Sequence, residues 1–568
     1  MRQFLVVFLC ILAGCSSVLR AQLAMGSVPG TEATSSKSLV GSYGPYRSNN
    51  DLLHYRLNVR VDPSKRLLSG SNVVQFRMLQ DGTRIQLELS EALTIQKVLF
   101  HGKEARFNRE GQSFFVDTPT QMRRGHTYSV EVFYSGVPKE TGRFGGVLFR
   151  KDEAGRPWIA TSCEDDGARV WWPNKDQWQD EPQDGMDLLV EVPDGLTDIS
   201  NGRLQGTQKL ADGYTRWNWR VTYPINNYDV ALNIGAYQHF SDRLGKLSLD
   251  FYALPESLQK AEEQFAQAKP MLAIFNKYFG EYPFLRDGYK LIEVPYTGME
   301  HQSAVAYGNH FHNSYGPRDW TGVGISPRFD FIIIHESAHE WFGNSVSAAD
   351  RADMWIQEGF TTYAEDVYVE ARWGHDDAIR YINGLKPKVK NRYPIVGERG
   401  VNATPHDEDQ YFKGALLLNT LRSVVADDTR WYAALHGLAE HFRYKNIRTE
   451  DVVLYLNQQL GHDYTPIFYE YLHHADLPQL QLEFDRAAGT VRYRWQASEP
   501  GFSMPVQAGD PQRWTLLHPT SEWQTVPGPP ESFKVATDLY YVQVVRDGVA
   551  EPLLPPAPSA AVAPFAKP

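Results

Sequence analysis

The 568-residue chain carries 57 Lys and Arg against 68 Asp and Glu, a net charge of −11, with 42% hydrophobic and 22% charged residues. That composition belongs to a globular protein and excludes a wholly disordered chain, collagen or a coiled coil, while the length allows several cores. The acidic balance gives no overall positive field for nucleic acid or acidic lipid.

Residues 1–14, MRQFLVVFLCILAG, set one Arg before an apolar run too short to span a bilayer, the pattern of a secretory signal. The run closes as Leu12-Ala13-Gly14-Cys15. This resembles the bacterial lipobox, which implies a lipidated Cys15 at the mature N-terminus and an exported protein anchored to the outer or cell-surface membrane, on its periplasmic or surface face. Ordinary signal cleavage near Ala21 or Ala24, giving a secreted or periplasmic protein, is the alternative, but Leu19 and Gln22 stand where a small −3 residue is wanted. Residues 15–42, rich in Ser, Gly and Thr, read as a flexible tether. Cys10 leaves with the signal and Cys15 takes lipid, so Cys163 is left alone and no disulfide framework is expected.

From Leu53 the sequence alternates in strand fashion (HYRLNVRVDP, SNVVQFRML, RIQLELS, TYSVEVFYSG), with turn signals at Asp62-Pro63 and Asp81-Gly82. The expectation is an antiparallel β domain over 43–244. A 3.6-residue rhythm then begins, with Ala261, Phe265, Ala268 and Leu272 on related faces, and helical patterns dominate a catalytic domain over 245–476. After Leu477-Pro478 alternation returns, which predicts a small β-sandwich over 477–550, followed by a Pro/Ala-rich tail at 551–568. The fold class is multidomain α+β.

The strongest chemical signal is His335-Glu336-Ser337-Ala338-His339, in an apolar stretch that reads as a buried helix starting at Ser326-Pro327. Spacing i, i+4 puts both imidazoles on one helix face, where they can bind one Zn²⁺ with Glu336 beside the metal. Catalytic zinc wants a third protein ligand and an open fourth position, and Glu358 follows 18 residues after His339 in a second helical pattern.

HESAHEWFGN with QEGFTTYAED closely resembles the HExxH-x18-E signature of the M1 family of zinc aminopeptidases, which have a thermolysin-like catalytic domain. The resemblance implies one zinc ion held by His335, His339 and Glu358, with Glu336 as general base, and peptides with a free N-terminus as substrates. Thr297-Gly298-Met299-Glu300-His301 resembles the family's GxMEN segment, with Thr297 for the first Gly and His301 for the Asn. It implies substrate binding by Gly298, Met299 and Glu300, the Glu taking the α-amine. Tyr411-Phe412-Lys413-Gly414 resembles the YxKG element, whose Tyr stabilises the oxyanion. Glu164, four residues before Ala168-Arg169, matches a position that lines the first subsite.

The resemblance runs from near residue 54 to near 478, but the long C-terminal helical domain of many M1 enzymes has no counterpart in the roughly 75 residues before the tail, which implies a more open site. Glu340 and Glu365 are candidates to orient the histidines, with solvated helix acids as the plain alternative. His310 and His312 read as polar surface. Motifs for phosphate loops, serine hydrolases and dithiol chemistry are missing. Two other readings stand beside the aminopeptidase: an epoxide hydrolase on the same zinc site, as known among M1 relatives, and a catalytically silent surface module, which would leave gaps in a catalytic set that shows none.

Overall fold

Strand Asn50–Asp62 turns at Asp62-Pro63 into Leu67–Met78, and the two pair antiparallel from Asn50↔Met78 to Asp62↔Leu67. The turn is closed by Asp62, whose Oδ1 accepts from the Ser64 amide (3.0 Å) and hydroxyl (2.6 Å). The computed structural model describes residues 39–141, 145–401, 405–528 and 532–553. The signal, Cys15 and nearly all of the tether and tail lie outside the described residues. At the tether's end, the Leu39 and Ser42 carbonyls accept from Gln86 (3.3 Å) and Arg47 (3.0 Å).

This hairpin sits inside a ten-stranded sheet, antiparallel except where Asn50–Asp62 runs beside Met186–Pro193. Alternation drives its apolar faces inward: Leu57, Val59, Val61, Leu188, Val190 and Val192 share one core. A four-stranded sheet with Gly146–Lys151 and Pro157–Ser162 leads to the turn that carries Glu164. Cys163 beside it is buried as a free thiol, pushed up to about 12 by that burial.

The hairpin Gln238–Leu244 and Leu247–Ala253 straddles the residue-245 boundary drawn from the sequence. Both arms belong to a five-stranded sheet with Tyr289–Glu293, Val305–Tyr307 and Gly298–Met299. Helices follow at Leu258–Phe265 and Ala268–Phe279, and Ala261, Phe265, Ala268 and Leu272 are all buried as their spacing predicts. Seven further α-helices lie between Phe331 and His473 among the described residues. The C-terminal region is β-rich, with a five-stranded and a three-stranded sheet sharing the helices' core through Leu480, Leu482, Trp495, Val506 and Ala508. No helix among the described residues is long and apolar enough to cross a membrane.

Candidate metal and peptide site

The HExxH segment forms helix Phe331–Ala338, with His339 as its C-cap. The helix begins four residues later than Ser326-Pro327 suggests. Those residues form a separate short 3-10 turn, because Asp330 accepts from the amides of Ile332 (3.0 Å) and Ile333 (3.5 Å) and so caps the helix itself. The helix is buried on all sides, which holds His335 and His339 rigidly at 5% and 1% exposure. Glu358 enters from helix Trp355–Trp373, whose first fifteen residues are all buried.

Nε2 of His335 and Nε2 of His339 lie 3.3 Å apart, and each lies 3.4 Å from Oε2 of Glu358. Ligand atoms at about 2.0–2.1 Å from a tetrahedral Zn²⁺ are about 3.3–3.4 Å from one another, so the triangle fits one face of that coordination shell. Glu358 Oε2 is itself a buried oxygen with no hydrogen bond among the described residues. The outer nitrogens are engaged. His335 Nδ1 meets Glu365 Oε1 at 2.7 Å, Glu365 Oε2 accepts from Tyr381 (2.6 Å), and His339 Nδ1 donates to the Phe342 carbonyl (2.9 Å). These contacts leave both Nε2 atoms to face the ligand position. Glu340 plays no such part; it accepts from the Ser303 amide at 2.8 Å.

Glu336 lines a cavity of about 440 Å³ with His335, Glu164, Gly298, Arg351, Tyr411 and an aromatic wall that includes Phe331 and Phe412. Burial pushes its carboxyl up to about 7, with His335 pulling the other way and Glu300 adding to the rise. Gly298 is there for space: a Cβ would stand 2.8 Å from Glu336 Oε1 and 2.7 Å from Ile332 Cγ2. Strand alternation turns the Met299 side chain the other way from Gly298, into the apolar core. His301 is also buried off the cavity, held neutral and pushed down to about 3 by burial.

Glu300 accepts from Tyr228 Oη at 2.8 Å, and Gln357 donates to that same hydroxyl at 2.9 Å. Carboxylate oxygens of Glu164, Glu300 and Glu358 all lie within 4.8 Å of one another. Burial raises Glu300 and Glu164 above the usual range, and Glu358 raises both further; for Glu164 the larger neighbour effect is Glu300's, and Arg351 opposes it. A cation between such groups relieves their repulsion. The Tyr411 ring stacks on His335 with centres 6.0 Å apart, and burial, then Glu358, keeps its phenol protonated as a donor. His310 and His312 are exposed and join no metal-ligating group among the described residues.

The peptidase family M1 domain model matches residues 263–471 and the peptidase M1 N-terminal domain model matches 52–228, together more than half of the chain. The protein belongs to peptidase family M1. It is therefore a zinc metallopeptidase, with the ligand triangle as the place for one zinc ion. The chain is 24% identical over 430 residues to leukotriene A-4 hydrolase of Xenopus laevis, covering 71% of this chain and 67% of that protein. It is 24% identical to endoplasmic reticulum aminopeptidase 1 of Homo sapiens over 70% of this chain, but spans only 44% of that longer relative. An M1 zinc metallopeptidase from Deinococcus radiodurans superposes with a TM-score of 0.63 at 23% identity, covering 76% of this chain and 95% of the other. A variant of that enzyme bound to a Tyr-Ser-Ala substrate superposes with 0.62 at 22% identity over the same shares. At these identities the structural likeness establishes the shared M1 fold.

Tyr228 and Arg351 stand outside every motif, and Gln357, Phe331 and Phe412 lie within or beside the motifs without a local pattern that marks them as part of the site. The fold brings Arg351 and the aromatic wall to the cavity, and Tyr228, with Gln357 behind it, to Glu300.

Proposed function

We propose that the protein is a zinc aminopeptidase that removes N-terminal residues from peptides, with Glu164 and Glu300 holding the free α-amine. The observation that carries this reading is the placement of those two carboxylates within 4.8 Å of the ligand Glu358. Carboxylates so close to a metal ligand would hold a positive α-amine about one residue from the bond to be cleaved, which favours the first peptide bond.

When bound, zinc supplies a Lewis acid that polarises the substrate carbonyl and makes water acidic. Glu336 Oε1 or Oε2 takes the proton of the attacking water and passes it to the leaving nitrogen. Tyr411 donates its phenolic hydrogen bond to the developing oxyanion. Glu300, braced by Tyr228, and Glu164 fix the amine so that the scissile carbonyl falls under Tyr411.

A panel of aminoacyl arylamides, assayed with and without a zinc chelator, tests this. Turnover that disappears with the chelator, and in a Glu336→Ala variant that keeps its zinc and fold, is the expected result. Unchanged turnover in that variant defeats the assignment. We also propose export and lipid attachment at Cys15, on the strength of the Leu12-Ala13-Gly14-Cys15 sequence. Fatty-acid labelling of the expressed protein should be lost on Cys15→Ser, and labelling that persists refutes it.

A further inference from the structure

The amine subsite is built from two parts of the chain far apart in sequence, and something must hold them in register. Glu164 sits in a turn closed by the Gly167 amide on the Cys163 carbonyl (2.8 Å). The turn is braced from below: a Cβ at Gly167, which has φ +81°, would stand 2.6 Å from Asp176 Oδ2, in a buried pair with Arg169. From the catalytic side two groups reach across. Tyr296 Oη, one residue before the Thr297-Gly298 segment, donates to the Thr161 carbonyl at 2.9 Å. Arg351 Nη1 donates to the carbonyl of Asp165, the residue after Glu164, and Nη2 lies 3.8 Å from the Asp165 carboxylate.

We propose that Arg351 is a positioning residue that clasps the Glu164 turn onto the catalytic domain and so sets where Glu164 stands relative to Glu300. Its side chain is 4% exposed, and it lines the same cavity as Glu164. Its guanidinium lies over the Trp178 ring (5.8 Å), and Trp178 stacks on Tyr228 (4.9 Å), the residue that donates to Glu300. One side chain thus touches the Glu164 turn directly and the brace of Glu300 through a single ring. Arg351 also opens the short turn Arg351–Asp353 that leads into the helix of Glu358, which ties the amine subsite to the ligand triangle. Among the described residues it is the only Lys or Arg lining this cavity. Its guanidinium is engaged by the Asp165 carbonyl and the Trp178 ring, which is where a positioning role places it.

The inference rests on the reading of Glu164 as an amine ligand, and a double-mutant cycle separates the two. Steady-state kinetics of zinc-loaded wild type, Glu164→Gln, Arg351→Met, Arg351→Lys and the Arg351→Met/Glu164→Gln double variant are measured on one aminoacyl arylamide. Glu164→Gln should raise KM roughly tenfold, and Arg351→Met should raise it by a similar factor with kcat altered less than about threefold. The double variant should be within about twofold of Glu164→Gln alone, because both changes remove one interaction. Arg351→Lys, which keeps a donor for the Asp165 carbonyl, should fall between wild type and Arg351→Met. A KM that Arg351→Met leaves unchanged while Glu164→Gln raises it overturns the clasp alone, as does a fully additive double variant. A KM unmoved by Glu164→Gln overturns the amine role and the clasp with it. Should Arg351→Met fail to fold, the Lys variant and its Glu164→Gln double are read by the same criteria.

Discussion

Gly359 and Gly414 each occupy the space where the other's side chain would stand: a Cβ at 414 would lie 3.1 Å from Gly359 Cα, and one at 359 would lie 3.3 Å from Gly414 Cα. Gly359 follows Glu358 and Gly414 lies one turn beyond Tyr411, so this crossing sets how near the phenol comes to the ligand triangle. Replacing Gly414 by Ala should force the helices apart by a few tenths of an ångström, cost about 1–3 kcal/mol of stability and lower kcat more than it changes KM. Thermal unfolding and steady-state kinetics on one preparation check both effects. An unchanged kcat would mean that Tyr411 does not depend on this contact.

Gly298 makes a sharper case, because its missing side chain gives room to the general base itself. Gly298→Ala puts a methyl against Glu336 Oε1. The expected outcome is a kcat lower by about 10²-fold or more with zinc content preserved, since proton transfer depends on where that carboxylate stands. Metal analysis alongside the kinetics distinguishes this from loss of the ion.

Glu365 orients His335 through Nδ1 and is held in turn by Tyr381. Glu365→Gln should weaken zinc binding by about 10–100-fold, read as a lower chelator concentration for half-inactivation. Glu340→Gln, which changes a carboxylate bonded to the Ser303 amide, should leave that concentration nearly as in wild type.

Asp198 offers a test of pH and stability away from the site. It is buried, its Oδ2 accepts from Ser200 (3.0 Å) and Trp219 (3.1 Å), and burial pushes it up to about 8. The folded protein therefore holds a proton that the unfolded chain releases near its ordinary value of 3.8, and stability from this group falls as pH rises from about 4 to 8. Between pH 5 and 8 the Asp198→Asn variant should lose less Tm than wild type, by about 2–4 °C for each kcal/mol involved. Parallel pH profiles for the two proteins would contradict it.

Much of the site was legible because zinc chemistry constrains spacing within short segments. His335 and His339 had to share a helix face, and Glu358 needed only a helix returning past them. What was not legible depended on phase or on distance. Met299 lies in a two-residue strand too short to show which face it presents, and Asp330 outcompetes Ser326-Pro327 as helix start only because its side chain reaches two amides. Tyr228 meets Gln357, and Arg351 through the Trp178 ring, from more than a hundred residues away, and no local pattern encodes that meeting. The β, helical, β order of the chain was readable from period alone. The hairpin around residue 245 was not assignable that way, since its alternation is the same whichever sheet it joins.

The most direct test of the aminopeptidase reading compares one peptide in two forms, with its N-terminus free and acetylated, on the zinc-loaded wild-type enzyme. Loss of the positive amine removes the charge that Glu164 and Glu300 bind, so kcat/KM should fall by about 10²-fold or more on acetylation. Equal cleavage of the two forms would show that the buried carboxylates do not read the N-terminus, and would contradict the account.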